Sequence, residues 1–165
     1  MSGKQRHPEI AFRKHDHRRC QRQLLSAATH LCAERKLRLT LRRRQVLEIL
    51  LASHQPMGAY DILAELNRSD DKERVAPPIV YRALEFLLGE GLIHRIESRN
   101  AFISCIHPGH HRGAQFLICR DCDRVAELES NDSGLLAEAD SLGFAVDHSV
   151  VEITGVCAEC QKHDR

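Results

Sequence analysis

The chain has 165 residues, 42% of them hydrophobic, with no tryptophan and only 4% aromatic residues. Such a composition can close one medium or two small cores, and it excludes a transmembrane helix, because no apolar run approaches the roughly 20 residues that a bilayer requires. The formal net charge of +1 hides a strong asymmetry: thirteen Lys and Arg face three acidic residues up to Arg44, whereas eleven face twenty beyond it, the pattern of a basic nucleic-acid reader joined to a separate acidic module.

Residues 1–22 are charged and His-bearing, without an apolar period and without the apolar centre of a secretory signal. They read as a mobile basic tail of a cytoplasmic protein. From Leu24 the spacing turns helical, with Leu24, Leu25, Ala28, Leu31 and Cys32 on one face. Thr40 is placed to cap a second helix whose stripe is Val46, Leu47, Leu50 and Leu51. After the loop at 54–58, a third helix carries Tyr60, Ile62, Leu63 and Leu66, and the polar run 67–74 is a connector. Pro77 and Pro78 pre-set the first turn of a fourth helix, with an expected inner face of Ile79, Ala83, Leu84, Leu87 and Leu88. Two extended runs, 92–96 and 101–105, then form a hairpin. Three or four helices followed by a hairpin describe a winged helix-turn-helix. The segment 106–113 is hinge-like, 116–119 and 125–128 are strands, and a helix carries Leu135, Leu136, Ala139 and Leu142. Runs 144–146 and 150–153 are expected to be further strands. The fold class is therefore α+β.

Seven cysteines and eleven histidines are many for this length. In a cytoplasmic chain they suggest metal rather than disulfides. Cys119/Cys122 and Cys157/Cys160 form two Cys-x-x-Cys turns separated by 34 residues. Each turn can present two thiolates to one ion, and two turns complete a closed tetrahedral sulfur cage, which is structural and leaves no open position. Paired redox dithiols are the competing reading, but a redox Cys-x-x-Cys normally occurs once, at a helix start.

The apolar face of the fourth helix turns inward, so Tyr81 and Arg82 point elsewhere. Arg82 suits guanine O6/N7 or a phosphate, and Tyr81 a thymine methyl or a phosphate. Tyr60 is placed for the backbone or a base edge, and Arg42, Arg43 and Arg44 for phosphates. Any one of these alone would read as a solvated surface residue.

Together, Arg-Leu-Thr at 38–40, Ala-Tyr-Asp-Ile-Leu at 59–63, Pro-x-x-Tyr-Arg-Ala-Leu at 78–84 and the four-Cys clamp resemble the ferric uptake regulator family. Gly-Ala-Tyr-Asp at 58–61 and Ile-His-Arg-Ile-Glu-Ser at 93–98 look closest to its zinc uptake branch. The resemblance implies a homodimer that, when loaded with zinc, sits on palindromic operator DNA and represses zinc uptake genes. It implies a winged helix at 23–105, a hinge loop at 106–114, and a small α/β dimerisation and metal-binding domain at 115–165. It also implies two Zn²⁺ per chain, the second at a regulatory site made of His94, Cys105, His111 and Glu127. His110, or less readily His107, could replace His111, because the loop before the clamp does not align cleanly. Nitrogen, sulfur and oxygen donors in a four-coordinate set suit zinc.

An iron- or peroxide-responsive regulator of the same family is the alternative. Those branches carry His-His-x-His just before the clamp, where this chain has Gly113-Ala114-Gln115-Phe116. An enzyme is not expected: His-Glu-x-x-His is absent, and neither Cys pair follows a proline as in a zinc deaminase. No membrane and no small organic substrate are expected as partners. His15-Asp16-His17 could hold a metal in the tail, His148 matches a family metal position, and Cys20 receives no role.

Overall fold

Asp16 opens the first helix. Its carboxylate accepts a hydrogen bond from the Arg19 N–H at 3.1 Å, satisfying one donor that a helix N-terminus leaves exposed. In the computed structural model, which describes residues 10–12, 15–69, 74–109, 113–128, 133–147 and 149–163, α1 therefore runs from His17 to Glu34, seven residues earlier than the apolar period suggested. The tail assigned to 1–22 is corrected in its described part. Ile10–Phe12 also forms a short 3-10 turn with Ala11 buried.

The chain divides into two compact units, Lys14–His110 and a second that draws on His111–Arg165 and the Ile10–Phe12 turn. In the first unit, α1 is followed by α2 (Leu41–Leu51), α3 (Ala59–Ser69) and α4 (Pro77–Gly89). Thr40 occupies the N-cap of α2 with extended backbone, but its hydroxyl makes no capping bond. The stripe Val46, Leu47, Leu50 and Leu51 is fully buried and packs with Ile62 and Leu66 of α3 and Ala28 and Cys32 of α1. On α4 the buried face is Val80, Ala83, Leu84 and Leu87. The expected inner position of Ile79 is corrected: it is exposed, and Val80, four residues before Leu84, takes the core place. The end of α3 is tied back by Asn67, which accepts from the Val75 N–H at 2.7 Å and donates to the Val75 carbonyl.

The hairpin pairs β1 (Ile93–Ile96) with β2 (Ala101–Ser104) antiparallel, His94 opposite Ile103 and Arg95 opposite Phe102. Asn100 turns it with φ of +47°, which asparagine tolerates better than most residues, and its amide oxygen accepts from Arg95 at 2.9 Å. Met57 adds a two-bond bridge to Phe102, so the wing is anchored on the loop before α3.

The second unit holds a three-stranded sheet in the order β4-β3-β5, made of β3 (Ala114–Cys119), β4 (Val125–Leu128) and β5 (Val150–Gly155). β3 runs antiparallel to β4 and parallel to β5. The parallel pairing needs a crossover, in which α5 (Ser133–Ser141) lies. The strand expected at 144–146 is not formed. Phe144 is 67% exposed, and that stretch pairs with no strand among the described residues. A short α6 (Ala158–His163) follows β5. No helix of the described residues is long and apolar enough to cross a membrane.

Candidate metal centre and nucleic-acid interface

The parallel pairing of β3 and β5 sets Cys119 opposite Gly155 and so brings the two Cys-x-x-Cys turns to one end of the sheet. The first turn is closed by Asp123, at φ of +55°, whose N–H donates to the Cys119 carbonyl at 3.0 Å. Cys157 follows β5, and Cys160 sits on α6. One sulfur from each of the four cysteines lies within 4.8 Å of the others, and Cys122 Sγ is 3.9 Å from Cys157 Sγ. A regular zinc tetrahedron with Zn–S near 2.3 Å has sulfur–sulfur edges of about 3.8 Å. The clamp fits zinc.

Its electrostatics agree. Burial raises the Cys119 thiol, but backbone N–H groups of Cys157, Cys122 and Asp121 outweigh it and bring the group down to about 6. The Cys157 N–H donates directly to Cys119 Sγ at 3.3 Å. Burial pushes Cys122 up, and the neighbouring Cys157 sulfur pushes Cys160 up. Four thiolates packed this closely repel one another unless a cation balances them, so metal loading must expel protons. Arg124 pairs with Glu159 at 2.9 Å and sets a positive charge close to Cys122 and Cys157. This pair linking the turn to α6 is a supporting contact that no motif spacing revealed.

His94 of β1 and Cys105, just past β2, belong to the first unit, and their ligand atoms lie within 4.8 Å of each other. Cys105 is buried and His94 half-buried. A nitrogen and a sulfur so placed form half of a tetrahedral donor set, consistent with zinc. Glu127 sits half-buried on β4 of the second unit. His107 is half-buried after β2, whereas His110, His111 and His148 lie outside the described residues.

On the first unit, Tyr81 and Arg82 project outward from α4, and Tyr60 at the start of α3 is 71% exposed. Tyr60, Tyr81, Glu85, Arg95 and Asn100 line one groove between α3, α4 and the wing. The three arginines of α2 are not equivalent. Arg43 donates to the Arg38 carbonyl at 2.7 Å and lies 3.6 Å over the Phe86 ring, a cation–π contact that commits it to the fold. Arg44 pairs with Glu48 at the surface, and Arg42 bonds Gln45.

The family model described as the ferric uptake regulator family matches residues 34–154. The zinc uptake regulation protein of Escherichia coli (strain K12) is 37% identical over 142 residues, spanning 84% of this chain and 81% of its own. A solved zinc uptake regulator complexed with zinc and DNA is similar at a TM-score of 0.79 and 34% identity, covering 87% of this chain and 97% of that one. The holo form of XcZur gives 0.77 and 40% identity, with 85% and 98% covered.

Proposed function

The chain belongs to the ferric uptake regulator family, in its zinc uptake branch, and from that premise we propose that it is a zinc-responsive repressor. It binds palindromic operator DNA as a zinc-loaded homodimer and controls zinc uptake genes, acting in the cytoplasm and not as an enzyme. The observation that carries this reading is one chain holding both a closed four-sulfur clamp and, on its other unit, an outward-facing Tyr81-Arg82 pair beside a wing.

The outer face of α4 enters the major groove, where Arg82 addresses a guanine and Tyr81 a thymine methyl or phosphate. Tyr60, Arg42 and Arg44 hold the DNA backbone, and Arg43 adds charge from its place over Phe86. A second copy doubles these contacts and matches a two-fold operator. The exposed apolar side chains of the second unit support dimerisation there: Leu135, Leu136, Leu142, Phe144 and Ile153 would be costly to leave in water.

Two zinc ions per chain are proposed. Cys119, Cys122, Cys157 and Cys160 hold the structural one. His94, Cys105, Glu127 and His111, with His110 as a substitute, hold the regulatory one, which supplies an exchangeable Lewis-acid crosslink when bound. A ligand set drawn from both units restricts their relative freedom, so DNA binding no longer bears that ordering cost. By linkage, operator affinity rises with metal loading by the same factor as operator DNA raises metal affinity. The thiolate of Cys105 in this set favours zinc over an iron-responsive reading.

Operator binding titrated against zinc tests the proposal. Wild-type affinity should rise roughly 5–150-fold, the range of a typical coupling. Cys105→Ser should give a folded protein with its clamp zinc and no such rise. Equal operator affinity in chelator and in zinc for the wild type would sink the reading.

A further inference from the structure

The start of α1 and the loop between α2 and α3 bring together four donor side chains that the clamp and the His94–Cys105 pair do not use. His15 and His17 flank the Asp16 cap, Cys20 follows one turn into α1, and His54 comes just after α2. One ligand atom from each lies within 4.8 Å of the others. His15 Nε2 is 3.1 Å from His54 Nε2, close to the roughly 3.3 Å edge of a tetrahedron with Zn–N near 2.0–2.1 Å. The three imidazoles meet with centroids 4.8 to 5.5 Å apart and their planes steeply inclined. They converge on a point rather than stack.

The second observation concerns His17. Its Nε2 lies 2.9 Å from the Ala52 carbonyl, which fixes Nε2 as the protonated nitrogen, because a carbonyl can only accept. Nδ1 is then a bare lone pair, and that atom is buried with no hydrogen-bond partner. An imidazole that donates one ring N–H to a backbone carbonyl while the other nitrogen stands unsatisfied has the arrangement typical of a metal ligand. A buried unpaired nitrogen is otherwise a net cost of about 1–3 kcal/mol.

We propose that His15, His17, Cys20 and His54 form a metal site separate from the clamp and from the His94–Cys105 pair, with three nitrogens and one sulfur binding Zn²⁺ tetrahedrally. Loading it staples the start of α1 to the end of α2, a junction already held by Gln21 donating to the Leu51 carbonyl at 2.9 Å. His15 is exposed and the other three are half-buried, so the ion exchanges with solvent rather than being sealed into the fold.

Cobalt reports on the site in the full-length chain with zinc kept in the clamp. In a Cys105→Ser background, Cys20 is the remaining thiolate within a proposed non-clamp site. Added Co²⁺ should then produce tetrahedral d–d bands and a thiolate charge-transfer band. Adding either Cys20→Ser or His54→Ala should abolish the charge-transfer band. With zinc, bound metal per chain should fall by one equivalent in His17→Ala and in His54→Ala, circular dichroism serving as the check on folding. No cobalt–thiolate band in the Cys105→Ser protein, or a band that survives both additions, would mean that His15 and His54 share only a hydrogen bond, and the site would be refuted. An unchanged zinc count in both His variants would refute it equally.

Discussion

Replacing Cys157 with serine is expected to remove the clamp zinc and unfold the second unit while leaving the first folded. The asymmetry follows from what each unit buries. The first is built on a cluster of sixteen buried residues contributed by all four helices and the wing. Among the described residues, the second buries only Ala11, Phe116, Ile118, Cys119, Val125, Ala126 and Cys157, two of which are clamp sulfurs. So small a core cannot offset the conformational entropy of its chain without an added tie. Structural zinc in comparable small domains supplies about 10–16 kcal/mol at neutral pH, as much as the whole stability of a typical domain. Serine keeps the shape but offers no thiolate, and the backbone N–H at position 157 would donate to a Cys119 sulfur that no longer has an ion to bind. Metal analysis should show one zinc fewer, hydrogen exchange should collapse over β3, β4 and β5, and α2 to α4 should stay protected. A dimer with intact protection over those strands and no clamp zinc would contradict this account.

Burial likewise decides how much of the fold the residues disclose on their own. The stripe of α2 was legible because four apolar side chains at helical spacing admit one buried face, and all four are in the core. On α4, Val80, Ala83, Leu84 and Leu87 keep the i, i+3, i+4, i+7 spacing of one helical face, whereas Ile79 lies off it, so the spacing itself selects Val80 over Ile79 for the core. The start of α1 was missed because its first turn carries no apolar period. The available signal was the capping aspartate at position 16, which sets a boundary without burying anything. The run 144–146 reads as a strand locally, but a strand needs a partner, and the sheet of the second unit uses β5 instead.

For the sites, legibility tracked how far ligand chemistry is local in sequence. Each Cys-x-x-Cys turn declares itself within four residues, and the clamp was readable although its halves are far apart. The proposed set of His94, Cys105, His111 and Glu127 rests on resemblance to a family, since nothing in the spacing of those residues binds them together. The cluster at the start of α1 lay between these cases. His15 and His17 suggested a metal, but His54 enters from the α2–α3 loop and is joined to them only by the packing of α1 on α2. Arg43 is the opposite case, a basic residue whose contact with the Phe86 ring comes from the packing of α2 on α4 and is invisible in the basic run itself.

Arg82→Ala should leave the protein folded and zinc-loaded but largely unable to distinguish operator from other DNA. Arg82 is exposed on α4, and alanine is a good helix former, so stability should change by no more than about 0.5 kcal/mol. Losing one bidentate arginine–guanine contact costs about 1–3 kcal/mol. A dimer on a two-fold operator loses two, and well-separated contacts add, giving a total of about 2–6 kcal/mol, or roughly thirty-fold to twenty-five-thousand-fold in operator affinity. Lysine at this position keeps the charge without the planar fork, so Arg82→Lys should recover non-specific binding but little of the operator preference. The salt dependence separates base reading from backbone holding. A base contact leaves the slope of affinity against salt nearly unchanged, whereas a phosphate contact lowers it by about one per site. If Arg82→Ala weakened operator and random DNA equally and flattened the salt slope, Arg82 would be a phosphate holder, and the reading of operator bases would have to pass to Tyr60, Tyr81 or the wing.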